Sequence, residues 1–512
     1  MAIGTITTSR SYMTKQVTSL SKTLTEKTTQ LATGKVSSTY GGIGNNRLLD
    51  LELSQRVGRI EAYQETIVHA NLHIETLNLT LDRLEDLRID GKSAIDPNDF
   101  ELQADGQTRS QATAEILLYE AVNLLNTEVA GHYLYGGSNA TNDPVAGVKE
   151  ILDGTLTRAG LRQVVDEFYQ ANLGPNDNGR LDVSALTTNY AGPTPTDSTF
   201  TIAEDGAHDF GFDISAVSSN LTNVSITGPA GGVDPDSFDI QFTGQPELGE
   251  SITLEFTMPP AHDEPVVFTF TANSIGGEDD TFAIGADLEE TANNLRDAMI
   301  ARLEKEAQTT LRAASDEWAA NSFFDTFAGG EPVRVDGPPF DTATGLVSGA
   351  ANTVIWYTGE NSATTDARAD KTAVIDTNLS VNYGARANED GLTDVIKALA
   401  TFISADFSDG YDLTKLHYSA LSDRMRTVLE PDTADQSGIV DITTEISVAY
   451  RTVQSTDDRH DQMRSSYLGT IDTIEGVDNE LLAAEILQLQ TNIEASYRAS
   501  SIVYQLSIVD YL

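Results

Sequence analysis

Two histidines, His69 and His73, stand four apart in the run His69-Ala70-Asn71-Leu72-His73. On a helix that spacing places both rings on one face, a geometry that can hold zinc. A metalloprotease helix needs Glu directly after the first histidine, and Ala70 occupies that place. Both residues flank an apolar seam and are read as part of a solvated face. His460 falls on an apolar repeat and is read as a core or interface residue. Between residues 198 and 350 only His208 and His262 occur, too few for a histidine metal site. The acidic runs Asp234-Pro235-Asp236 and Glu278-Asp279-Asp280 offer oxygen ligands of the kind Ca²⁺ takes, without EF-hand spacing. Gly41-Gly42-Ile43-Gly44 lacks the Lys-Ser/Thr of a phosphate loop, and no serine sits in a Gly-x-Ser-x-Gly elbow. With no cysteine there is no disulfide, thiolate nucleophile or thiolate metal site. The expectation is a protein without catalysis, metal or cofactor.

The 512 residues carry 32 Lys+Arg against 78 Asp+Glu, a formal net charge of −46. Phosphate backbones would be repelled, so nucleic acid is not an expected partner. Residues 1–135 hold 12 basic and 17 acidic residues, residues 136–435 hold 16 and 49, and residues 436–512 hold 4 and 12. The charge is concentrated in the middle, which suits a chain that meets neighbours through its ends and turns its middle to water. No run approaches the ~18 apolar residues of a membrane span. Met1-Ala2-Ile3-Gly4-Thr5 lacks a basic region followed by an apolar one, so no cleaved secretory signal is expected.

The elements around these residues are dominated by long periodic helices. From Asn479 to Leu512 there is neither Gly nor Pro, and Leu482, Ile486, Leu489 and Ile493 recur at steps of four and three. Ala495, Ala499, Ile502, Leu506 and Val509 continue the stripe on the next face. Asp478 stands where an N-cap would. Near the N-terminus, Ile6, Met13, Val17, Leu20, Leu24 and Leu31 make a matching repeat over residues 5–33, interrupted by Arg10 and Lys27. Ten of those 29 residues are Thr, each costing roughly 0.6 kcal/mol in a helix relative to Ala. This segment is therefore expected to stay disordered until a partner covers the stripe.

The strongest pattern spans about Asn46 to Ile95. Ile60, Tyr63, Ile67, Ala70, Ile74, Leu77, Leu81 and Leu84 fill successive heptad core positions. A helix of that length is about 75 Å long, more than the inside of a compact domain takes. A third helix is expected over 107–130, then an aromatic strand at 132–137, and a helix at 160–172. From Ser198 the period becomes two, with short runs at 200–202, 210–214, 224–226, 238–242, 252–256 and 266–270, read as an antiparallel β region. One helix is expected from Asp287 to about Leu311, then loops to about 350. Helices return at 392–402 and 413–429, and a further heptad runs through Ile442, Ile446, Ala449, Val453, His460, Met463, Tyr467 and Ile474. The fold class read from this is a mainly α rod of long heptad helices from both termini, with an inserted β-rich (α+β) central region. The expected parts are 1–40 with 478–512, 41–140 with 380–477, a connection at 141–197, the insert at 198–350 and a return at 351–379.

Several stretches are similar to a known family. They are Leu20-Ser21-Lys22-Thr23-Leu24, Gln30-Leu31-Ala32-Thr33-Gly34-Lys35, Asn71 to Leu84, and Tyr133-Leu134-Tyr135-Gly136-Gly137-Ser138. In the second half they are Val381-Asn382-Tyr383-Gly384-Ala385-Arg386-Ala387, Gln488-Leu489-Gln490-Thr491, Ala495-Ser496-Tyr497 and the ending Leu506-Ser507-Ile508-Val509-Asp510-Tyr511-Leu512. On these the chain resembles the bacterial flagellin superfamily, in its hook–filament junction branch, over about 1–140 and 380–512. The loop after Gly34 departs from the family in lacking paired aspartates. The resemblance implies an extracellular location on the flagellum, export through the flagellar type III apparatus with a chaperone, and assembly through both termini. It implies as partners copies of the same chain in a ring, hook-associated protein 1 on the hook side and flagellin on the filament side. The axial contacts are then expected from Ile6, Met13, Val17, Leu20, Leu24, Leu31, Leu482, Ile486, Leu489, Ile493, Ile502, Leu506 and Val509. The helical core is expected from Ile60, Tyr63, Ile67, Ile74, Leu77, Leu81, Leu84, Ile446, Val453, Met463 and Tyr467. A filament flagellin with an adhesive insert remains the alternative; the absence of a Pro-Gln element near the end favours the junction branch.

Overall fold

The computed structural model describes residues 2–229, 235–262, 265–277, 279–408, 410–430 and 438–509, with side chains from residue 11 to residue 502. It is a mixed α+β structure, about 52% helix and 17% strand, with long helices and several small sheets. Helices α1 (Ala2–Thr33), α2 (Arg47–Ala94) and α3 (Arg109–Leu125) precede a hairpin of β1 (Glu128–Val129) and β2 (His132–Tyr133), then α4 (Val148–Asp153) and α5 (Leu161–Leu173). Strands β3 (Leu181–Val183), β4 (Thr187–Ala191), β5 (Thr194–Glu204), β6 (Asp213–Ser219), β7 (Val224–Thr227), β8 (Ser237–Phe242), β9 (Ser251–Thr257), β10 (Val266–Asn273) and β11 (Thr281–Ala283) lead to α6 (Leu288–Ala307) and α7 (Thr310–Phe324). Hairpins of β12 (Val333–Val335) with β13 (Leu346–Ser348) and β14 (Thr372–Asp376) with β15 (Leu379–Asn382) come before α8 (Asp390–Ser404), α9 (Asp412–Val428), α10 (Ile439–Glu475) and α11 (Asn479–Val509).

The chain divides into two compact units, one of Met1–Asn71, Ala373–Val381 and Arg451–Leu512, the other of Leu72–Thr372 and Asn382–Tyr450. In the first, the early part of α2 runs antiparallel to the late part of α10. Tyr63 stacks on His460 at 5.8 Å, Gln64 donates to Asp461 at 2.7 Å and Arg464 pairs with Glu61 at 3.0 Å. Ile60, Ile67 and Val453 are buried, while Tyr63, Met463 and Tyr467 are half-buried. Thr456 is buried too and fills the heptad step between Val453 and His460 that the apolar pattern leaves blank.

In the second unit, Ile74, Leu77, Leu81, Leu84 and Ile446 are all buried. Its β part consists of two sheets, ordered β3-β5-β8-β7 with β4 on β5, and β11-β10-β9-β6. Alternate residues face inward, among them Phe200, Ile240, Phe256, Phe268 and Phe270, and α6 closes the core with Leu295, Met299 and Leu303. Four expectations need correction here. The first sheet starts at Leu181 rather than Ser198, because the short polar strands β3 and β4 both pair with β5. The pairing is not wholly antiparallel, since β10 and β11 run parallel. Phe210 and Phe212 precede their strand: Gly211 at φ +83° makes a turn there, which sets Phe210 against Trp318 at 5.2 Å and Phe212 against Phe256 at 5.7 Å. Finally, residues 310–324 form α7, not a loop, and α7 packs on α5, α8 and α9.

Helix α3 is also shorter than expected. Thr108 and Gln111 form a reciprocal capping box at its start, and Asn126 ends it.

Candidate assembly surfaces of the terminal helices

Within the first unit, α1 and α11 pack together antiparallel. Met13 meets Ser500 at 3.9 Å near one end, and Lys27 pairs with Glu485 at 2.7 Å further along. That ion pair explains a cation on the apolar stripe: its partner comes from the facing helix, where it fixes register more than it stabilises. At the other end the two chain reversals face each other. Val36 N–H donates to Glu475 O at 2.6 Å and Val477 N–H to Gly34 O at 3.2 Å. Gly34 takes φ +70°, which favours glycine. The Lys35 ammonium donates to Glu475 at 2.5 Å and is held above its ordinary pKa by that bond. Asp478 then caps α11, accepting from Glu480 N–H at 3.0 Å and Leu481 N–H at 3.1 Å.

The Thr-rich sequence of α1 is helical throughout, and its partner is α11 of the same chain. Its hydroxyls bond back along the helix, as Thr18 does to Thr14 O at 2.8 Å and Thr28 to Leu24 O at 2.7 Å. The cover that the stripe of α1 was expected to need is supplied by α11.

Coverage of the stripes is uneven. Leu482 (4% exposed) and Ile486 (9%) are buried. Met13, Val17, Leu20, Leu24, Leu489 and Ile493 are half-buried. Leu31 is 38% exposed and Ile502 is 56% exposed, and Tyr12, Leu481, Leu487 and Tyr497 add further exposed apolar surface. Ile6, Leu506 and Val509 lie outside the residues whose side chains are described. One helix against one helix covers a single stripe, so residues on the adjoining faces keep their contact with water.

In the second unit, two of the sequence stretches singled out above meet. Gly137 N–H donates to Ala385 O at 3.2 Å, and Ala387 N–H to Tyr135 O at 3.0 Å. Gly137 sits at φ +61°, where a Cβ would come within 2.5 Å of Asp370 Oδ2 and 2.8 Å of the Glu360 Cβ. Arg386 binds Asp370 with two hydrogen bonds, at 2.6 and 3.0 Å, and both side chains are 4% exposed. Tyr135 is buried, with its hydroxyl 2.6 Å from Thr80 Oγ1, and burial raises its pKa.

The residues weighed for chemistry are dispersed. His69 is exposed, and His73 is half-buried with its ring edge on Tyr383 at 6.2 Å. His460 is buried against Tyr63, with Nε2 3.6 Å from Asp376. Asp279 pairs with Lys305, and Asp280 with Arg302. Asp234 and Glu278 lie outside the described residues. Among the described residues no group of three or more His, Asp or Glu side chains could hold a metal ion, and no helix is long and apolar enough to cross a membrane. No family model matches the chain, and no curated protein matches it.

Proposed function

We propose that this chain is a structural, non-enzymatic subunit of the bacterial flagellum, a hook-associated protein 3 that adapts the hook to the flagellin filament. In this reading it leaves the cell through the flagellar type III apparatus with an export chaperone. Copies of it then assemble into a ring between hook-associated protein 1 and flagellin. α2 and α10 are read as a heptad rod carrying the β-rich part.

The observation that supports this reading best is the pairing of the first and last helices, whose apolar stripes are covered on one side and exposed on the next. Burying each exposed large side chain in a neighbouring copy is worth about 1.5–3 kcal/mol. A ring of copies therefore has a driving force that the single chain leaves unspent. The sequence resemblance at both ends, including the Leu506–Leu512 ending, supports the junction over the filament.

The test is immunogold labelling of the β part on isolated flagella. One narrow band between hook and filament is the expected result. Label along the whole filament would identify a flagellin instead, and no label on flagella would remove the proposal.

A further inference from the structure

Away from the terminal helices, α5, α7, the turn after α8 and the start of α3 line an open cavity of about 430 Å³. That lies within the roughly 300–1,000 Å³ of small-molecule sites. Most of its charged lining is already engaged. Arg162 pairs with Asp153, Asp166 accepts from Gln170 Nε2 at 2.7 Å, and Asp406 accepts from Ser408 N–H at 2.9 Å.

Two side chains on α7 keep bonding capacity unused. Arg312 lies with its guanidinium 4.5 Å from the centre of the Tyr169 ring and near enough to Asp406 to help hold that carboxyl low, but among the described residues it makes no hydrogen bond or ion pair. Asp316 is 1% exposed; one carboxylate oxygen accepts from the buried His417 Nε2 at 2.7 Å and the other has no partner among the described residues. The two residues are four apart on one helix face and could reach each other. Instead Arg312 lies on Tyr169 and Asp316 is held by His417.

A buried carboxylate oxygen without a donor is destabilising, and a planar guanidinium on an aromatic ring is set to grip a carboxylate with two parallel bonds. One unmet demand is for a donor or cation and the other for an anion, and both line the same cavity. Val165 and Phe407 add apolar wall to it.

We infer that this cavity binds a small ammonium–carboxylate zwitterion of the α-amino acid class, its carboxylate on Arg312 and its ammonium on the free oxygen of Asp316. The engaged acids Asp166 and Asp406 leave the site net negative, which disfavours a simple anion and favours a ligand that brings its own positive charge.

The test is isothermal titration calorimetry and thermal melting of the full chain with a panel of standard L-amino acids, with acetate and methylammonium as single-charge controls. At least one amino acid is expected to raise the melting temperature and to bind at least about tenfold more tightly than either control. Arg312→Met, which removes no hydrogen bond, is expected to fold normally and to weaken binding at least about tenfold; Asp316→Asn is expected to do the same. Three results would overturn the inference: no amino acid binds, acetate binds as well as the amino acids, or Arg312→Met binds like the parent. Should Asp316→Asn fail to fold, Arg312→Met alone decides.

Discussion

Gly137 has no room for a side chain and sits in a backbone region that disfavours one, at the place where the segment of residues 382–387 returns to the helices. Gly137→Ala is expected to cost about 1–3 kcal/mol of stability, read by urea denaturation followed by circular dichroism. Glu204 makes a second residue-scale prediction. Its two carboxylate oxygens accept from Ile214 N–H at 2.8 Å and Asp236 N–H at 2.9 Å, tying β5 to β6 and to the start of β8. Burial pushes its pKa up to about 7; the two N–H donors oppose the rise and neighbouring Asp213 adds to it. A carboxyl raised in the folded state contributes stability that is complete below its unfolded value near 4.5 and is lost as pH rises through about 7. The parent chain is therefore expected to lose roughly 1 kcal/mol between pH 5 and pH 8 from this group, allowing for its partial exposure. Buried His417, held below its ordinary value mainly by desolvation, acts in the opposite direction, losing stability as pH falls through about 6.5. Comparing the parent with Glu204→Gln at both pH values separates the two. An unchanged difference between the proteins across that range would refute the assignment. The surroundings of Glu204 and His417 were not legible in the sequence, because Glu204 meets Asp213 and Asp236, and Asp316 meets His417, through strand pairing and helix packing, not through spacing along the chain.

At the scale of single elements the apolar period was the legible signal. It outlined α2 closely, since Ile60, Ile67, Ile74, Leu77, Leu81 and Leu84 all point inward. It failed for α7, whose buried face is mostly small: Ala313, Ala314, Ala319 and Ala320 carry little hydrophobic signal, and Gly329-Gly330 beyond them read as loop. It also failed for β3 and β4, which are short, polar and at the margin of their sheet. For the terminal helices the period marks the stripe but not which positions a partner leaves uncovered. That distinction yields a paired prediction. Ile502→Asp changes a side chain that is already in water, so the isolated chain should keep its helical content and melting temperature while, on the proposed role, failing to enter flagella. Leu482→Asp places a charge in the covered part of α11 and should lower stability by about 2–5 kcal/mol as well. Circular dichroism and incorporation into flagella separate the two effects. Normal incorporation of the Ile502 variant would remove α11 from the assembly surface.

For the molecule as a whole, the question is how much of the middle can be removed. Sequence boundaries alone suggest that residues 200–340 form a dispensable insert. The structure argues for a different cut, because that deletion takes α7 away from α5, α8 and α9 and exposes the faces that Phe323, Phe324 and Trp318 cover. It also removes Asp316 from buried His417, leaving the imidazole without its partner. A deletion of residues 182–308 is the better separation. It removes β4 to β11, α6 and nearly all of β3, and retains α7. Its flanks lie close together, since a Cβ on Gly179 would come 3.0 Å from Leu311 Cδ2. Joined by a short Gly-Ser linker, this shorter chain is expected to melt cooperatively and to retain the helical content of the remaining residues. The 200–340 deletion is expected to lose cooperativity and to expose apolar surface, read by dye binding and a flattened melting curve. If both deletions melted alike, the packing of α7 would not be what holds this helical region together. If only the 182–308 deletion folded and still entered flagella, the β part would be dispensable for assembly, and its large negative charge would be left to act where it meets water.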